Sequence, residues 1–220
     1  MFEEAVSYVL DQKNHRETAT VCHAFLTDPT FHRFLLQADL AIAEEIREAG
    51  CPCGGQLHQS NYRRKPRGLL IQRDDDFCLR YSLCCDQDGC RRRRTPPSLR
   101  FLGRKVYWSV FIILLTALEH GLSPRRRQAL ADQFDLSPKT FYRWQHWWRG
   151  TFAASAVWCE WRRLLLPPVG EKELPGALLG RLQGPDLKSR LLALLIPLLP
   201  LTSASCADWR MGKALPQKMG

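Results

Sequence analysis

The chain has 220 residues, of which 45% are hydrophobic and 25% are charged, and its formal net charge is +10. This hydrophobic content is that of a globular protein and excludes a wholly disordered chain. The positive charge indicates a polyanionic partner, either nucleic acid or an acidic membrane surface. Residues 51–150 carry 19 Lys and Arg against 8 Asp and Glu, so the whole excess lies there. Such a basic block is typical of phosphate binding, although a solvated arginine-rich surface is the alternative.

The first fifty residues have helical periodicity. We predict one helix over Phe2 to Gln12. A second helix is predicted to begin at Pro29, with Thr27 or Asp28 as its N-cap, and to end at Gly50. Apolar residues recur there with helical spacing; they are Phe31, Phe34, Leu35, Ala38, Ala41, Ile42 and Ile46.

The chain contains two apolar runs whose lengths can be compared with that of a membrane-spanning helix. Val106 to Leu118 has 13 residues and Leu191 to Leu201 has 11, whereas a spanning helix needs about 20. The opening residues are acidic where a signal peptide would be basic. We therefore predict buried core helices, no membrane span and a cytoplasmic protein.

Six of the nine cysteines cluster between positions 51 and 90. In a chain without an export signal, this favours metal ligands over disulfides. Two glycines follow the pair Cys51 and Cys53, and Gly89 precedes the last residue of the pair Cys85 and Cys90. Glycines allow the tight turns that bring sulfurs to a metal. We predict that these four cysteines hold one structural Zn²⁺.

Three points about the ligand set stay open. The first pair has one intervening residue where such turns usually have two, so His58 or Cys78 could contribute. Cys84 and Cys85 are neighbours on a strand and point to opposite faces. Only one of them is expected to bind, and Cys85 is preferred. The alternative to a metal site is a set of small buried thiols.

The segments Leu57 to Arg64 and Cys78 to Cys84 are predicted to be the strands of a small zinc ribbon. Asp74, Asp75 and Asp76 lie between them and are interpreted as an exposed loop. The alternative is a metal-dependent catalytic site, as in a compact nuclease or transposase.

Basic residues flank this module on both sides. Arg91 to Arg94 precede Thr95-Pro-Pro-Ser98, which forces an extended path and makes a basic arm suited to phosphates or a minor groove. The candidate nucleic-acid contacts of the module are Arg63, Arg64, Lys65, Arg67, Arg91, Arg92, Arg93, Arg94, Arg104 and Lys105.

Residues 106–149 have the pattern of a helix-turn-helix. An apolar helix is predicted over Val106 to Glu119. Ser123-Pro124 and Ser137-Pro138 are start signals for two further short helices, and the second runs to about Arg149. The predicted inward side chains are Ala129, Leu130, Phe134, Phe141, Trp144 and Trp148. The second short helix is the predicted recognition helix, with candidate contacts Ser137, Lys139, Thr140, Tyr142, Arg143 and His146.

Three motifs together resemble a family of small bacterial transposase-like proteins. They are CPCGGQLH at 51–58, NYRRKPRG at 61–68, and SLCCDQDGCRRRRTPPSLRFLGRKVYW at 82–108. The resemblance covers about residues 45–170. It implies a cysteine-rich ribbon followed by a helix-turn-helix, DNA binding in a mobile-element context, and association with the bacterial nucleoid.

Beyond residue 150 we predict a helix over Phe152 to Leu166, two leucine-rich helices within Leu174 to Leu199, and a loose tail from Thr202. The fold class is thus mainly α with a small β zinc ribbon. The predicted domains are an N-terminal helical segment (1–49), the ribbon with its arm (50–104), the helix-turn-helix domain (105–166) and the leucine-rich region with its tail (167–220).

The favoured function is that of a zinc-stabilised DNA-binding protein associated with transposition or mobile-element regulation, more plausibly a binding module than an enzyme. RNA stays an alternative to DNA, and other transposition proteins are expected partners. The competing functions are the nuclease or transposase and a protein-interaction scaffold that uses the leucine-rich region.

Overall fold

The computed structural model describes residues 26–68, 75–103, 105–119 and 123–206. The predicted helix over Phe2 to Gln12 and the candidate residues Asp74 and Arg104 lie outside these ranges. The described chain is mainly helical with small sheets, as predicted. Its described residues divide into two compact units, one formed by those within 28–109 and 198–206 and the other by those within 26–27 and 110–197.

The first unit begins with helix α1, Pro29–Ala49. Asp28 is its N-cap, and its carboxylate accepts bonds from the amides of Thr30 at 2.9 Å and Phe31 at 3.2 Å. The helix ends at Gly50, whose φ of 73° suits glycine. The predicted inward face is correct except at Phe34 and Ala41, which are exposed. The face is completed by His32, Asp39 and Ala43.

Five short strands follow: β1 (Leu57–Gln59), β2 (Tyr62–Arg63), β3 (Leu79–Arg80), β4 (Leu83–Cys85) and β5 (Arg93–Arg94). They form one sheet in the order β1-β4-β5 and a separate β2-β3 pair, all antiparallel. The β1–β4 register pairs Leu57 with Cys85 and His58 with Cys84. A 3-10 helix, Asp75–Cys78, takes the place of part of the predicted second strand.

A buried polar network joins α1 to the segment after β5. Arg100 and Asp39 form an ion pair at 2.8 Å, and both side chains are inaccessible to solvent. Asp39 also accepts bonds from the Leu99 amide and the Ser98 hydroxyl. Arg100 donates to the carbonyls of Phe77 and Leu79, each at 2.8 Å. A buried charge is stable only when its hydrogen-bonding groups have partners. The partners of Asp39 and Arg100 therefore fix the position of α1 in its unit.

Residues Thr202 to Cys206 also belong to this unit, which corrects the prediction of a loose tail from Thr202. The Ser98 amide donates to the Thr202 hydroxyl at 2.9 Å, and the Thr95 amide donates to the Ser205 hydroxyl at 2.8 Å. Cys206 is buried. The segment is held because its hydroxyls satisfy backbone groups in the proline-containing stretch after β5.

Helix α2, Ser109–Glu119, begins three residues later than predicted. Val106 is exposed, and Tyr107 and Trp108 instead form bridges with Arg67 and Phe101. From Val110 to Leu115 every side chain is buried, as expected for an apolar core helix.

The second unit continues with α3 (Pro124–Gln133) and α4 (Pro138–His146), which leads into a π-helical turn, Trp147–Phe152. The α4 side chains Phe141 and Trp144 are buried as predicted, and so is Trp148. The ring of Phe111 makes edge contacts with Phe134 and Trp144. Ala129 is exposed, and Ala131 takes the inward position on α3.

Three further helices follow: α5 (Ala156–Trp161), α6 (Gly176–Arg181) and α7 (Leu187–Thr202), of which the last belongs to this unit as far as Pro197. The predicted helix over Phe152 to Leu166 is therefore shorter than expected. Most of the leucines of α6 and α7 are buried; they include Leu178, Leu179, Leu187, Leu191, Leu194 and Leu195. Among the described helices, none combines the length and apolar character needed to cross a bilayer.

Candidate metal centre and nucleic-acid interface

The first cysteine turn follows α1 directly. The Cys51 amide donates to the Gly55 carbonyl at 2.9 Å, and the Gly54 amide donates to the Cys51 carbonyl at 2.8 Å. Gly54 has a φ of 89°, which a residue with a side chain rarely adopts. The turn thus folds back on itself within five residues and presents both of its sulfurs on one side.

The second turn starts at the end of β4. Cys85 is the last residue of that strand, and the Cys90 amide closes the turn by donating to the Gln87 carbonyl at 3.1 Å. Gly89, with a φ of 85°, permits the reversal. Pairing of β1 with β4 places this turn beside the first one, because Cys85 lies opposite Leu57.

Four sulfur atoms converge where the turns meet. The Sγ atoms of Cys51 and Cys90 are 3.8 Å apart, and those of Cys53 and Cys85 are 3.5 Å apart. All four lie within 4.8 Å of one another. Sulfurs about 2.3 Å from a tetrahedral Zn²⁺ stand about 3.8 Å from each other, so the spacing fits a single ion. These are the four cysteines that the sequence singled out, and they could hold a metal ion.

Two neighbouring residues shape the cluster. A Cβ atom on Gly55 would lie 2.7 Å from the Cys85 sulfur, so the close approach of the turns requires glycine there. The Asp86 carboxylate accepts a bond from the Gln56 amide at 3.0 Å, while the Asp86 amide donates to the Gln56 carbonyl at 3.1 Å. Asp86 was not among the predicted residues, because its role depends on the strand register.

The thiols of the cluster differ in acidity. The Cys53 amide hydrogen-bonds to the Cys51 sulfur and lowers the pKa of Cys51 to about 7, although burial opposes this. Burial raises the pKa of Cys85 to about 12. A bound cation would overcome this difference, because a thiol that coordinates a metal is deprotonated.

The open alternatives for the ligand set lie outside the four-sulfur group. The Cys84 sulfur lies 3.7 Å from the carbonyls of Cys85 and Arg91, on the opposite side of the strand. His58 is exposed, and its Nε2 lies 3.4 Å from the Asp86 carboxylate. Cys78 is half-buried in the 3-10 helix. In the described residues, the four cysteines are thus the one group of three or more potential ligands that converges.

The basic residues of the module that are predicted to contact nucleic acid differ in their burial and in their bonding partners. Arg64 is half-buried; it donates to the carbonyls of Gly103 at 2.9 Å and Lys105 at 3.0 Å. Part of the Arg64 guanidinium is thus engaged by backbone carbonyls, and its role as a nucleic-acid contact stays a prediction. Arg63 is exposed but forms a 2.5 Å ion pair with Asp75. Exposed positions are kept by Lys65 and Arg67, and Lys105 is half-buried.

The arm of four arginines is only partly a surface feature. Arg94 is buried, so its predicted role as a phosphate contact is wrong. Arg91 is exposed and pairs with Asp88 at 2.6 Å, and Arg93 donates to the Ser60 hydroxyl at 2.9 Å. Arg92 is exposed as well. Pairing of β5 with β4 explains the split, since alternate residues of a strand face opposite sides.

Helix α4 keeps most of its predicted contacts on the outside. Exposed positions are held by Ser137, Lys139, Tyr142, Arg143 and His146. Thr140 is buried and accepts a 3.3 Å bond from Arg143, so it is not available as a contact. Ser137 occupies the N-cap, although its side chain makes no capping bond.

Comparison with family models, with curated proteins and with solved structures found no match for this chain. The resemblance to the transposase-like family therefore stays a prediction that depends on its three motifs.

Proposed function

We propose that the chain binds DNA and that one structural Zn²⁺ holds its cysteine module together. Four thiolates in a closed set are typical of a structural zinc site, because no coordination position is left for water or substrate. The distances of 3.5 and 3.8 Å between sulfurs support this choice of metal. In this proposal, β1, β4 and the two turns form a zinc ribbon.

The observation that carries the DNA-binding proposal is the two-sided character of α4. One side packs Phe141 and Trp144 into the core, while Lys139, Arg143 and His146 are exposed on the other. Helix α3 precedes it through a turn in which Asp135 has a φ of 48°. We propose that α3 and α4 act as a helix-turn-helix and that α4 enters the major groove.

The exposed arginines and lysines of the ribbon would add phosphate contacts to those of the recognition helix. Contacts to phosphate give affinity and depend strongly on salt, whereas contacts to base edges give specificity. The resemblance to transposase-like proteins supports a role in targeting or regulating a mobile element. Such a role requires only binding, with catalysis supplied elsewhere.

The proposal is tested by metal analysis and by duplex binding at several salt concentrations. We expect one zinc per chain and an affinity that falls steeply with salt. The double variant K139A/R143A should bind at least about tenfold more weakly and lower the salt slope by about two. The matched control R162A/R163A removes two exposed arginines from a part of the chain that the proposal does not use.

No binding to any duplex at low salt would disprove DNA binding. An equal loss in the control variant would show that only the overall charge matters. Purified protein that binds no zinc would disprove the metal assignment independently of the binding result.

A further inference from the structure

The exposed side of α4 carries two aromatic rings as well as charges. Tyr142 is 71% exposed, which exceeds the other exposed aromatic side chains of the described residues, Phe34 at 47% and Tyr62 at 40%. The His146 ring lies one helical turn away and is exposed too. A large aromatic surface left in water is the kind of feature that a partner covers.

The two rings are arranged nearly in parallel. Their planes differ by 16° and their centroids are 6.4 Å apart. Two exposed rings that are nearly parallel can both offer a flat face for stacking.

Positive charge lies beside this pair of rings. Lys139, Tyr142, Arg143 and His146 follow the i, i+3, i+4, i+7 spacing of one helix face. The hydrogen bonds of Arg143 to the Lys139 carbonyl and the Thr140 hydroxyl use two of its five donors. Cations next to a stacking surface match a strand whose bases are flat and whose phosphates are negative.

We propose that the rings of Tyr142 and His146 stack on unpaired bases of single-stranded DNA, with Lys139 and Arg143 on the adjacent phosphates. Bases inside a duplex already stack on one another and offer only their edges to a protein. The ring pair thus favours a strand that is opened, flipped or at a junction. This inference rests on the proposed DNA binding and adds an unpaired strand to the duplex as a form of DNA that the exposed side of α4 binds.

The test uses a single-stranded oligonucleotide with one 2-aminopurine, whose fluorescence changes when the base stacks, and the same sequence as a duplex. Tyr142→Ala should weaken binding of the single strand by about 5- to 150-fold and abolish the fluorescence change. Tyr142→Phe keeps the ring and should stay within about twofold of the wild type. Phe34→Ala removes an exposed ring elsewhere and should change nothing.

Four results would overturn the inference. In the first, Tyr142→Ala weakens duplex and single-strand binding equally. In the second, it leaves both unchanged while the duplex is still bound in a salt-dependent manner, which preserves the proposed function. In the third, the wild-type protein binds neither form, which disproves both proposals. In the fourth, RNA of the same sequence binds at least about tenfold more tightly, which contradicts the choice of DNA.

Discussion

The unit with the four cysteines combines the helix α1 with strands of only two or three residues, whereas the other unit is helical and buries Trp144, Trp148 and Trp158. In the cysteine unit, the largest buried side chains include Arg80 and Arg100. Together with Arg64, they place three guanidinium groups 5.0 to 5.8 Å from the centre of the Phe101 ring.

The two units therefore depend on different physics. Arginines in the interior are tolerated only where specific carbonyls and carboxylates meet them, so the cysteine unit depends on a few directional contacts in addition to its apolar core. The helical unit gains its stability from many non-directional contacts between apolar side chains. Loss of one contact should consequently matter in different ways in the two units.

Removal of the proposed Zn²⁺ is the largest perturbation that we expect. Structural zinc contributes about 10–16 kcal/mol of apparent binding free energy in small domains, and that energy is available only to the folded site. Chelation, or the variant C51S/C90S, should greatly accelerate amide hydrogen exchange in residues 51–94 and leave residues 138–160 unchanged. The control C84S changes a cysteine outside the cluster. Equal amide exchange in residues 51–94 with and without the chelator would contradict the proposal that the cysteine unit depends on a metal.

The buried ion pair gives the next largest effect. Asp39→Ala leaves Arg100 charged and without its partner in the core, which costs about 3–5 kcal/mol. Urea titration of the metal-loaded protein measures this loss. Asp132→Ala, which removes an exposed carboxylate from α3, should stay within about 0.5 kcal/mol. A small effect at Asp39 would mean that the polar network is dispensable.

A buried aromatic side chain tests the helical unit in the same way. Trp148 is fully buried and its ring makes edge contacts with Trp147 and Phe152. Trp148→Ala should lower the free energy of unfolding by about 3–5 kcal/mol, with or without a chelator. If the chelator changed this loss of stability, the helical unit would depend on the metal as well, which contradicts the difference that we propose between the two units.

Gly55→Ala is a smaller, local change at the metal centre. The added Cβ would lie 2.7 Å from the Cys85 sulfur and 2.5 Å from Gln87, so overpacking of about 1–3 kcal/mol should appear as weaker zinc affinity. Competition with a chromogenic chelator measures that affinity. Gly54→Ala is the control for backbone strain. A Cβ added at Gly54 would meet no atom within 4 Å, so this variant strains only the backbone. An unchanged affinity in G55A would contradict the close approach.

The smallest effects concern helix caps, one in each unit. Asp28 caps α1, and the Asp186 carboxylate accepts bonds from the Ser189 amide and hydroxyl, each at 2.7 Å. Either Asp→Ala change should cost about 1 kcal/mol. The bond from the Ser189 amide lowers the pKa of Asp186, so its contribution is complete above the ordinary Asp pKa and is lost as the pH falls through the folded value. The Asp186→Ala variant should therefore approach the wild type in acid.

Much of the local structure was predictable because it depends on neighbours in the chain. The Asp28-Pro29 start and the Gly50 end of α1 are examples, since caps and left-handed glycines act within one helical turn. The inward positions of Phe141 and Trp144 followed from helical spacing. The approach of the four cysteines was also expected from two glycine-containing turns.

Predictions about individual long side chains were less successful. Arg64 and Arg94 were predicted to contact nucleic acid, yet Arg94 is buried and Arg64 is half-buried and donates to backbone carbonyls. Thr140 was expected to contact DNA but lies inside. A long or amphipathic side chain can satisfy its polar end in water or on a carbonyl, and local sequence does not distinguish the two.

The sequence by itself determined where the candidate metal ligands cluster, where α1, α3 and α4 begin, and that the positive charge lies in the middle of the chain. Spacing and residue type are sufficient for these properties because each acts over a few residues. Only the tertiary structure decided that Cys85 rather than Cys84 joins the cluster and which arginines remain exposed. Those outcomes depend on strand register and on carbonyls from distant segments, which exist as partners only after the chain has folded.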